Sequence, residues 1–264
     1  MMSRILRLSD GLAVRVAEAG AGMPVLLIHG VGMRAEAWGP QIAALSQDHH
    51  VIAVDMPGHG ESDPLPGDPR LPDYVDWAAR VIGALGPGPV AVAGHSMGSL
   101  ITAGLAVDYP GLVARAAILN GVHRRTPEAR ASVLARAAEI AAGQAGVEAP
   151  LARWFGPDEG TVRDQVAAWL RTVPQAGYAA AYRAFAEGDC AYADRLGAIS
   201  CPLLVLTGDG DANSTPEMTR TMAAMAPLGR AVVIPGHRHM VNLTAPEAVT
   251  GALRAWLTPE KAAA

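Results

Sequence analysis

Hydrophobic residues recur along this chain in two kinds of run, and their alternation with helix-like segments predicts the fold. The first two runs, RILRLS and LAVRVAE, alternate apolar and polar residues around Asp10-Gly11 and predict an antiparallel hairpin. Six later runs are short and almost wholly apolar, which is typical of parallel strands covered on both faces: PVLLIHG, HVIAVDMPG, PVAVAGHS, AAILNG, PLLVLTGDGD and AVVIPGHRH. Residues 35–45 and 73–85 read as helices between the early strands. The pattern predicts an α/β fold with a doubly wound, mostly parallel eight-stranded sheet and right-handed crossovers.

The alternation of strands and helices stops after Asn120-Gly121. Residues 123–194 are rich in alanine and arginine, have helical periodicity and contain no convincing strand. We therefore expect a core made of residues 1–122 and 195–264, with a helical insertion at 123–194. We expect most aromatic residues of the insertion to pack its helices and a few to face a pocket: Trp154, Phe155, Trp169, Tyr178, Tyr182, Phe185 and Tyr192. The last residues, 259–264, should be frayed.

The composition of the chain limits the classes of function that it can have. The chain has 264 residues, of which 50% are hydrophobic, so a large core is possible. Its net charge of −4 argues against nucleic acid as a partner, because such binding normally needs a basic face. The first residues, MMSRILRLSDG, lack the long apolar stretch of a secretory signal, and no apolar run reaches membrane-spanning length. We expect a soluble, cytoplasmic protein with no membrane partner.

The strongest chemical signal is Gly94-His95-Ser96-Met97-Gly98, directly after the apolar run VAVA and before a helical segment. A serine at the centre of this G-x-S-x-G pattern stands on a sharp strand-to-helix turn with its hydroxyl exposed. The flanking glycines are expected because the turn leaves no room for a Cβ atom and because glycine adopts the required dihedrals at low cost. Ser96 is therefore a candidate nucleophile.

Three further polar segments follow strands of the predicted sheet, where ligands of such sheets bind. They are His29-Gly30-Val31-Gly32, Gly208-Asp209-Gly210-Asp211 and His237-Arg238-His239. A serine nucleophile needs a histidine base and a carboxylate that orients the base. Asp209 competes with Asp211 for the second role, and His237 competes with His239 for the first. The backbone N–H groups of Met97, at a helix start, and of Val31 are the expected donors to an oxyanion.

Together these motifs resemble the α/β-hydrolase fold. His29-Gly30-Val31-Gly32 followed by Trp38 resembles its oxyanion loop, and residues 55–62, DMPGHGES, resemble its structural DxPGxGxS loop. The insertion stands where that fold carries a helical cap. The resemblance selects Asp211 through the spacing G-x-x-D and His239 through the pattern PGxGH, in which Arg238 replaces the usual glycine. It implies a catalytic triad of Ser96, Asp211 and His239.

The resemblance implies hydrolysis of a small ester or lactone through an acyl-enzyme. The alternatives are hydrolysis of a C–C bond in a vinylogous diketone, hydrolysis of an amide by the same triad, and a non-catalytic ligand-binding role. Residues 174–178, Asp194, Ile199 and Cys201-Pro202 resemble the cap-to-core return of enol-lactonases and related catabolic hydrolases, which act on small carboxylated compounds. The candidate substrate-binding residues are Arg34, Arg124, Arg125, Arg153, Trp154 and Tyr178. We expect a small-molecule substrate, no cofactor and no metal, and the resemblance allows a homodimer.

Overall fold

The structure is a computed structural model that describes residues 1–86, 88–157 and 159–258. The predicted fraying of residues 259–264 lies outside these described residues.

The strands of the chain form one mixed sheet. Their bounds are β1 (Met2–Arg7), β2 (Ala13–Ala19), β3 (Pro24–Ile28), β4 (His50–Val54), β5 (Val90–His95), β6 (Val113–Leu119), β7 (Leu203–Gly208) and β8 (Gly229–Ile234). The eight strands lie in the order β1-β2-β4-β3-β5-β6-β7-β8. The pairs β1–β2 and β2–β4 are antiparallel, and the remaining pairs are parallel. The predicted hairpin and the predicted fold class are therefore confirmed.

The central strands are almost wholly apolar because both faces of the sheet are covered. In β3, Leu26 and Ile28 belong to one buried cluster, while Val25 and Leu27 belong to a second cluster on the opposite face. Successive side chains of a strand point to opposite faces, so an uninterrupted apolar run supplies both clusters at once. Each fully buried aliphatic side chain contributes about 1.5–3 kcal/mol relative to an exposed one.

The described α-helices are α1 (Gly39–Leu45), α2 (Leu71–Leu85), α3 (Met97–Asp108), α4 (Pro127–Ala141), α5 (Glu148–Trp154), α6 (Gly160–Thr172), α7 (Gln175–Glu187), α8 (Pro216–Met225), α9 (Val241–Thr244) and α10 (Pro246–Leu257). Helices α1 and α10 cover one face of the sheet, and α2, α3 and α8 cover the other. The helix predicted over 73–85 begins two residues earlier, at Leu71, with Pro72 in its first turn. The segment predicted over 35–45 begins with a 3₁₀ turn, Ala35–Trp38, before α1.

Helices α4 to α7 all lie between β6 and β7, in the region where the sequence predicts an insertion. The backbone of α7 meets the core loop 55–62 at Gly177 and Gly58. A Cβ atom on Gly177 would lie 2.0 Å from the carbonyl oxygen of Gly58, so only glycine permits this approach. The exact division into core and cap stays a prediction.

Among the described residues, no helix combines the length and the apolar character that a membrane crossing needs. The cytoplasmic location and the homodimer stay predictions.

Candidate active site

Ser96 is the single residue between β5 and α3, and its backbone has φ 55° and ψ −115°. A positive φ is unfavourable for a serine and is typical of functional sites whose surroundings enforce it. The flanking glycines are explained by contact alone. A Cβ atom on Gly94 would lie 1.9 Å from the carbonyl oxygen of Gly98, and one on Gly98 would lie 2.2 Å from that of Ile28. Neither glycine has a positive φ, so the expectation that they supply special dihedrals is wrong.

The carboxylate of Asp211 and the imidazole of His239 are in direct contact. His239 Nδ1 lies 2.7 Å from Asp211 Oδ2, and the two residues are only 4% and 3% exposed. Asp211 Oδ1 accepts hydrogen bonds from the backbone N–H groups of Asn213, at 2.8 Å, and Ser214, at 3.2 Å. The Asn120 amide donates to Asp211 Oδ2 at 2.8 Å. Burial opposes ionisation, but His239 and these donors outweigh it and hold the pKa of Asp211 below its usual range.

The competing residues occupy different positions. Asp209 is exposed and accepts a hydrogen bond from the backbone N–H of Gly236 at 2.8 Å. His237 is partly exposed, and its Nδ1 lies 3.0 Å from the Thr244 hydroxyl. The geometry therefore brings together Asp211 and His239, the pair that the family spacing favours.

Ser96 and His239 line the same cavity. Among the described residues, no hydrogen bond joins the Ser96 hydroxyl to the His239 imidazole. Such bonds often tighten only when substrate is bound, so the arrangement suits a nucleophile and its base. His95 donates from Nε2 to the His239 carbonyl oxygen at 2.8 Å. Burial and the nearby His239 lower the pKa of His95 to about 3, so His95 is a neutral support for the neighbouring imidazole at pH 7.

Val31 lines the same cavity as Ser96 and His239, and its loop approaches Ser96 closely. A Cβ atom on Gly30 would lie 2.9 Å from the Ser96 Cβ. Met97 begins α3, where a helix leaves its first N–H groups without partners. Within the described part of the chain, neither Val31 nor Met97 donates its backbone N–H to an acceptor. Both groups are therefore available to an acceptor from outside the protein, and their role as oxyanion donors stays a prediction.

Two neutral histidines hold the loop on either side of Val31. His29 donates from Nδ1 to the Gly30 carbonyl oxygen at 2.7 Å and accepts from the Met56 N–H at 2.9 Å. His59 accepts the Gly32 N–H at 3.0 Å through Nε2. Burial lowers the pKa of His29 to about 4, and burial together with the neighbouring His29 lowers that of His59 to about 3. Each ring uses one nitrogen as donor and one as acceptor, which requires the neutral form.

A cavity of about 680 Å³ opens between this machinery and the helices of the insertion. The core contributes Val31, Ser96, His239 and several residues after β6 and β7, and the insertion contributes the remaining wall. Residues from the insertion that line it are Arg125, Thr126, Ala129, Ser132, Val133, Ala135, Arg136, Glu139, Ala149, Pro150, Arg153, Trp154, Tyr178, Tyr182 and Phe185. The Trp154 ring lies 5.6 Å from the His239 ring. The insertion therefore covers the candidate nucleophile and base.

The cavity is electropositive. Arg125, Arg136 and Arg153 line it, and Glu139 is the one carboxylate found there among the described residues. Glu139 accepts a hydrogen bond from Arg136 at 3.0 Å. Three guanidinium groups against one carboxylate leave two positive charges in a partly enclosed space. Such a space attracts anionic ligands, and guanidinium groups bind carboxylates in a bidentate geometry.

The sequence-predicted substrate contacts divide into two groups. Arg125, Arg153, Trp154 and Tyr178 line the cavity. Arg34 and Arg124 do not, so these two expectations are corrected. Arg34 donates to Glu36 at 2.9 Å on the core, and Arg124 pairs with Asp194 on the exposed rim of the insertion. Both guanidinium groups are held by carboxylates outside the cavity.

Sequence reasoning missed Arg136. It lies on α4 with Ala129, Ser132 and Val133, all of which line the cavity. The spacings of 3, 4 and 7 residues place these positions on one helix face, so an arginine in register with small and apolar residues was the available signal. The number of aromatic residues in the cavity wall was also underestimated. Four of the seven in the insertion line the cavity: Trp154, Tyr178, Tyr182 and Phe185.

No three histidine, cysteine, aspartate or glutamate side chains within the described ranges are grouped so as to hold a metal ion.

Comparison with profiles of known protein families identifies the family to which this chain belongs. The profile of the alpha/beta hydrolase family matches residues 25–252. This chain belongs to that family. The match covers strands β3 to β8, apart from the first residue of β3, together with the helical insertion and all the candidate catalytic residues of this alpha/beta hydrolase.

Individual relatives of this chain indicate which reactions similar proteins catalyse. The (E)-2-((N-methylformamido)methylene)succinate hydrolase of Acinetobacter baylyi is 53% identical over 259 residues, covering 97% of this chain and 98% of that protein. A malate-bound thermophilic esterase from Thermogutta terrifontis is 29% identical with a TM-score of 0.88, over 97% of this chain and 98% of that one. The enol-lactonase from Burkholderia xenovorans LB400 has a TM-score of 0.87 at 24% identity, over 97% and 100% of the two chains, and shows a shared fold. This alpha/beta hydrolase is therefore an enzyme of the hydrolase class.

Proposed function

We propose that this enzyme hydrolyses the amide bond of an N-acylated aminomethylene succinate, a dicarboxylate whose acylated nitrogen is attached to a carbon–carbon double bond. The A. baylyi relative, at 53% identity over almost the whole chain, is named for a substrate of this class. The observation that carries the proposal is the electropositive cavity, in which three arginines meet Ser96 and His239. A succinate carries two carboxylates, which matches the excess of two positive charges there.

The first step is attack of the Ser96 hydroxyl oxygen on the acyl carbon of the amide. His239 takes the hydroxyl proton, and Asp211 holds the imidazole through the 2.7 Å contact with Nδ1. The carbonyl electron pair moves to oxygen, and the backbone N–H groups of Val31 and Met97 bind the resulting oxyanion. Both donors are otherwise unused, so the energy of binding is gained as the charge develops.

The second step breaks the C–N bond. The oxyanion re-forms its carbonyl, His239 returns the proton to the departing nitrogen, and an acyl ester of Ser96 remains. The nitrogen leaves as an enamine whose lone pair is conjugated with the double bond and its attached carboxylate, so it departs more readily than an ordinary amine. A water molecule, deprotonated by His239, then attacks the ester, which releases the carboxylic acid and restores the Ser96 hydroxyl.

Hydrolysis of a small ester or lactone, the first expectation from the sequence, becomes the second candidate. The same residues perform it, since only the leaving atom changes from nitrogen to oxygen. The 29% identical esterase supports this candidate. Hydrolysis of a C–C bond has no separate observation in its favour.

The test is a comparison of substrates with the wild-type enzyme and the Ser96→Ala variant. The substrates are (E)-2-((N-methylformamido)methylene)succinate, its dimethyl ester, a short neutral aryl ester and a lactone. We expect kcat/KM for the dicarboxylate to exceed that for its dimethyl ester by at least about 100-fold, because two charged contacts of roughly 1.5–3 kcal/mol each are lost. Ser96→Ala should lower kcat by about 10⁴-fold or more at unchanged melting temperature.

Two outcomes would contradict the proposal. Equal rates for the dicarboxylate and its dimethyl ester would mean that the cavity does not select for charge. Turnover confined to the neutral ester and the lactone would transfer the assignment to the second candidate.

A further inference from the structure

Arg125 differs from the other cavity arginines in being almost completely buried. It follows β6 at the start of the insertion, and its side chain is 4% exposed although it lines the cavity. Its guanidinium carbon lies 4.4 Å from the centre of the Phe185 ring, a second cavity residue. A planar cation stacked on an aromatic ring has a fixed orientation. Arg125 is therefore preorganised before any ligand arrives.

The two terminal nitrogens of Arg125 have different surroundings. Nη1 donates to the carbonyl oxygens of Phe185, at 3.3 Å, and Ala186, at 3.4 Å, and lies 3.4 Å from Asp189 Oδ1. Nη2 is buried, and no acceptor for it exists among the described residues. A guanidinium cannot lose its proton at neutral pH, so this N–H pair needs an acceptor from outside the protein.

The charge of Arg125 is only partly neutralised. Asp189 is its acidic neighbour, but this carboxylate also accepts a shorter hydrogen bond, of 2.7 Å, from Arg130 Nη1. One carboxylate is thus shared by two guanidinium groups, which leaves one positive charge. Arg130 is not among the residues that line the cavity, so within the described chain the excess charge reaches the cavity through Arg125.

We propose that Arg125 is a specificity-determining residue whose Nη2 binds one carboxylate of the substrate. The identity of that substrate rests on the proposed function, whereas the carboxylate site itself follows from the unpartnered nitrogen. Arg125 then selects a carboxylated substrate over a neutral one. The guanidinium keeps Nη1 on the protein and offers Nη2 to the ligand, a division that its fork geometry permits.

Succinate is the probe for this site, and succinamide is its neutral counterpart of similar shape. Their dissociation constants are measured by calorimetry on the full-length enzyme, its Arg125→Gln variant and its Arg130→Gln variant. Arg130→Gln is the matched control, because it removes the other partner of Asp189 without removing a cavity group. We expect Arg125→Gln to weaken succinate binding about 10- to 100-fold, the loss of one charged hydrogen bond. Arg130→Gln should change it by less than about 3-fold.

Three results would overturn the proposal. The first is a wild-type enzyme that does not bind succinate or that binds succinamide equally well. The second is equal succinate binding by Arg125→Gln and wild type. The third is an equal loss in both variants, which would assign Arg125 to stabilisation of Asp189.

If Arg125→Gln does not fold, Arg125→Lys replaces it. Lysine retains a charge for Asp189 but lacks the second nitrogen, so we expect the same loss of succinate binding.

The binding measurement needs no turnover, and this separates the two proposals. Arg125-dependent succinate binding without hydrolysis of any N-acylated aminomethylene succinate would contradict the proposed function and support the carboxylate site. Hydrolysis of that substrate at equal KM by wild type and Arg125→Gln would support the proposed function and overturn the site.

Discussion

Arg238 donates a hydrogen bond from Nη1 to the backbone carbonyl oxygen of Phe155, at 2.7 Å. The same nitrogen donates to the carbonyl oxygen of Ala152 at 3.0 Å. These carbonyls lie at the C-terminal end of α5, where a helix has unpaired acceptors and favours a cation. Arg153 and Trp154, between them, line the cavity. The arginine that replaces the usual glycine before the candidate base thus fastens the insertion to the loop of His239.

Replacing Arg238 by glycine, the residue of the family pattern, should loosen α5. We expect KM for the dicarboxylate substrate to rise about 3- to 10-fold, equivalent to about 1 kcal/mol, because Arg153 and Trp154 lose their fixed positions. Steady-state kinetics and hydrogen exchange of residues 148–155 provide the measurement. Arg238→Lys, which retains a cationic donor, should remain close to wild type. Unchanged KM and unchanged exchange in Arg238→Gly would show that the contact does not position the cavity wall.

Asp211→Asn should lower kcat by about 10³- to 10⁴-fold, because an amide cannot stabilise the imidazolium of His239 or maintain its tautomer. Asp209→Asn is the matched control. Its side chain contacts the Gly236 N–H on the exposed side of the same loop, and we expect its kcat to remain within about 3-fold of wild type. The reverse order of the two losses would transfer the orienting role to Asp209.

Asn120→Asp should shift the acid limb of the pH–rate profile to higher pH. The Asn120 amide donates to Asp211 Oδ2, the same oxygen that lies beside His239 Nδ1. A carboxylate in its place would repel the Asp211 charge, and the pKa of the carboxyl pair would rise, so ionised Asp211 would be lost at a higher pH. We expect a shift of about one pH unit or more. Asn120→Ala is the control, since it removes the donor without adding a charge. Coincident acid limbs in Asn120→Asp and Asn120→Ala would contradict this prediction.

Stability should fall as the pH drops below about 6.5, the usual histidine value. The pKa is about 4 for His29 and about 3 for His59 and His95 in the folded protein, so below pH 6.5 the unfolded chain binds protons that the folded chain does not. The free energy of unfolding therefore decreases with falling pH until these lower values are reached. At about pH 5 the loss is about 2 kcal/mol per histidine. Denaturant titrations between pH 7.5 and 5 measure it.

His59→Gln provides the control for this pH dependence. The glutamine oxygen can accept the Gly32 N–H in place of the imidazole nitrogen, but the side chain does not titrate. We expect the variant to lose about 2 kcal/mol less than wild type over the same pH interval. An identical pH dependence in both proteins would mean that His59 does not contribute to it.

The amino-acid sequence by itself determined where the strands of the core lie along the chain and where the candidate nucleophile stands. Both are local properties. An apolar run such as VLLI specifies a strand covered on both faces, and Ser96 stands out because Gly94 and Gly98 mark a turn that no larger residue fits. Asp211 and His239 could be selected over Asp209 and His237 by family spacing, and their 2.7 Å contact agrees with that selection.

Only the tertiary structure decided which arginines reach the cavity. Arg124 and Arg125 are adjacent in sequence, yet the first pairs with Asp194 on the surface and the second is buried beside Phe185. Arg136 belongs to no sequence motif, and only its register with other residues of α4 points to the cavity. The directions in which Arg124 and Arg125 point depend on a carboxylate and a ring roughly 60 to 70 residues away in the chain, and a local pattern holds no information about contacts across that separation.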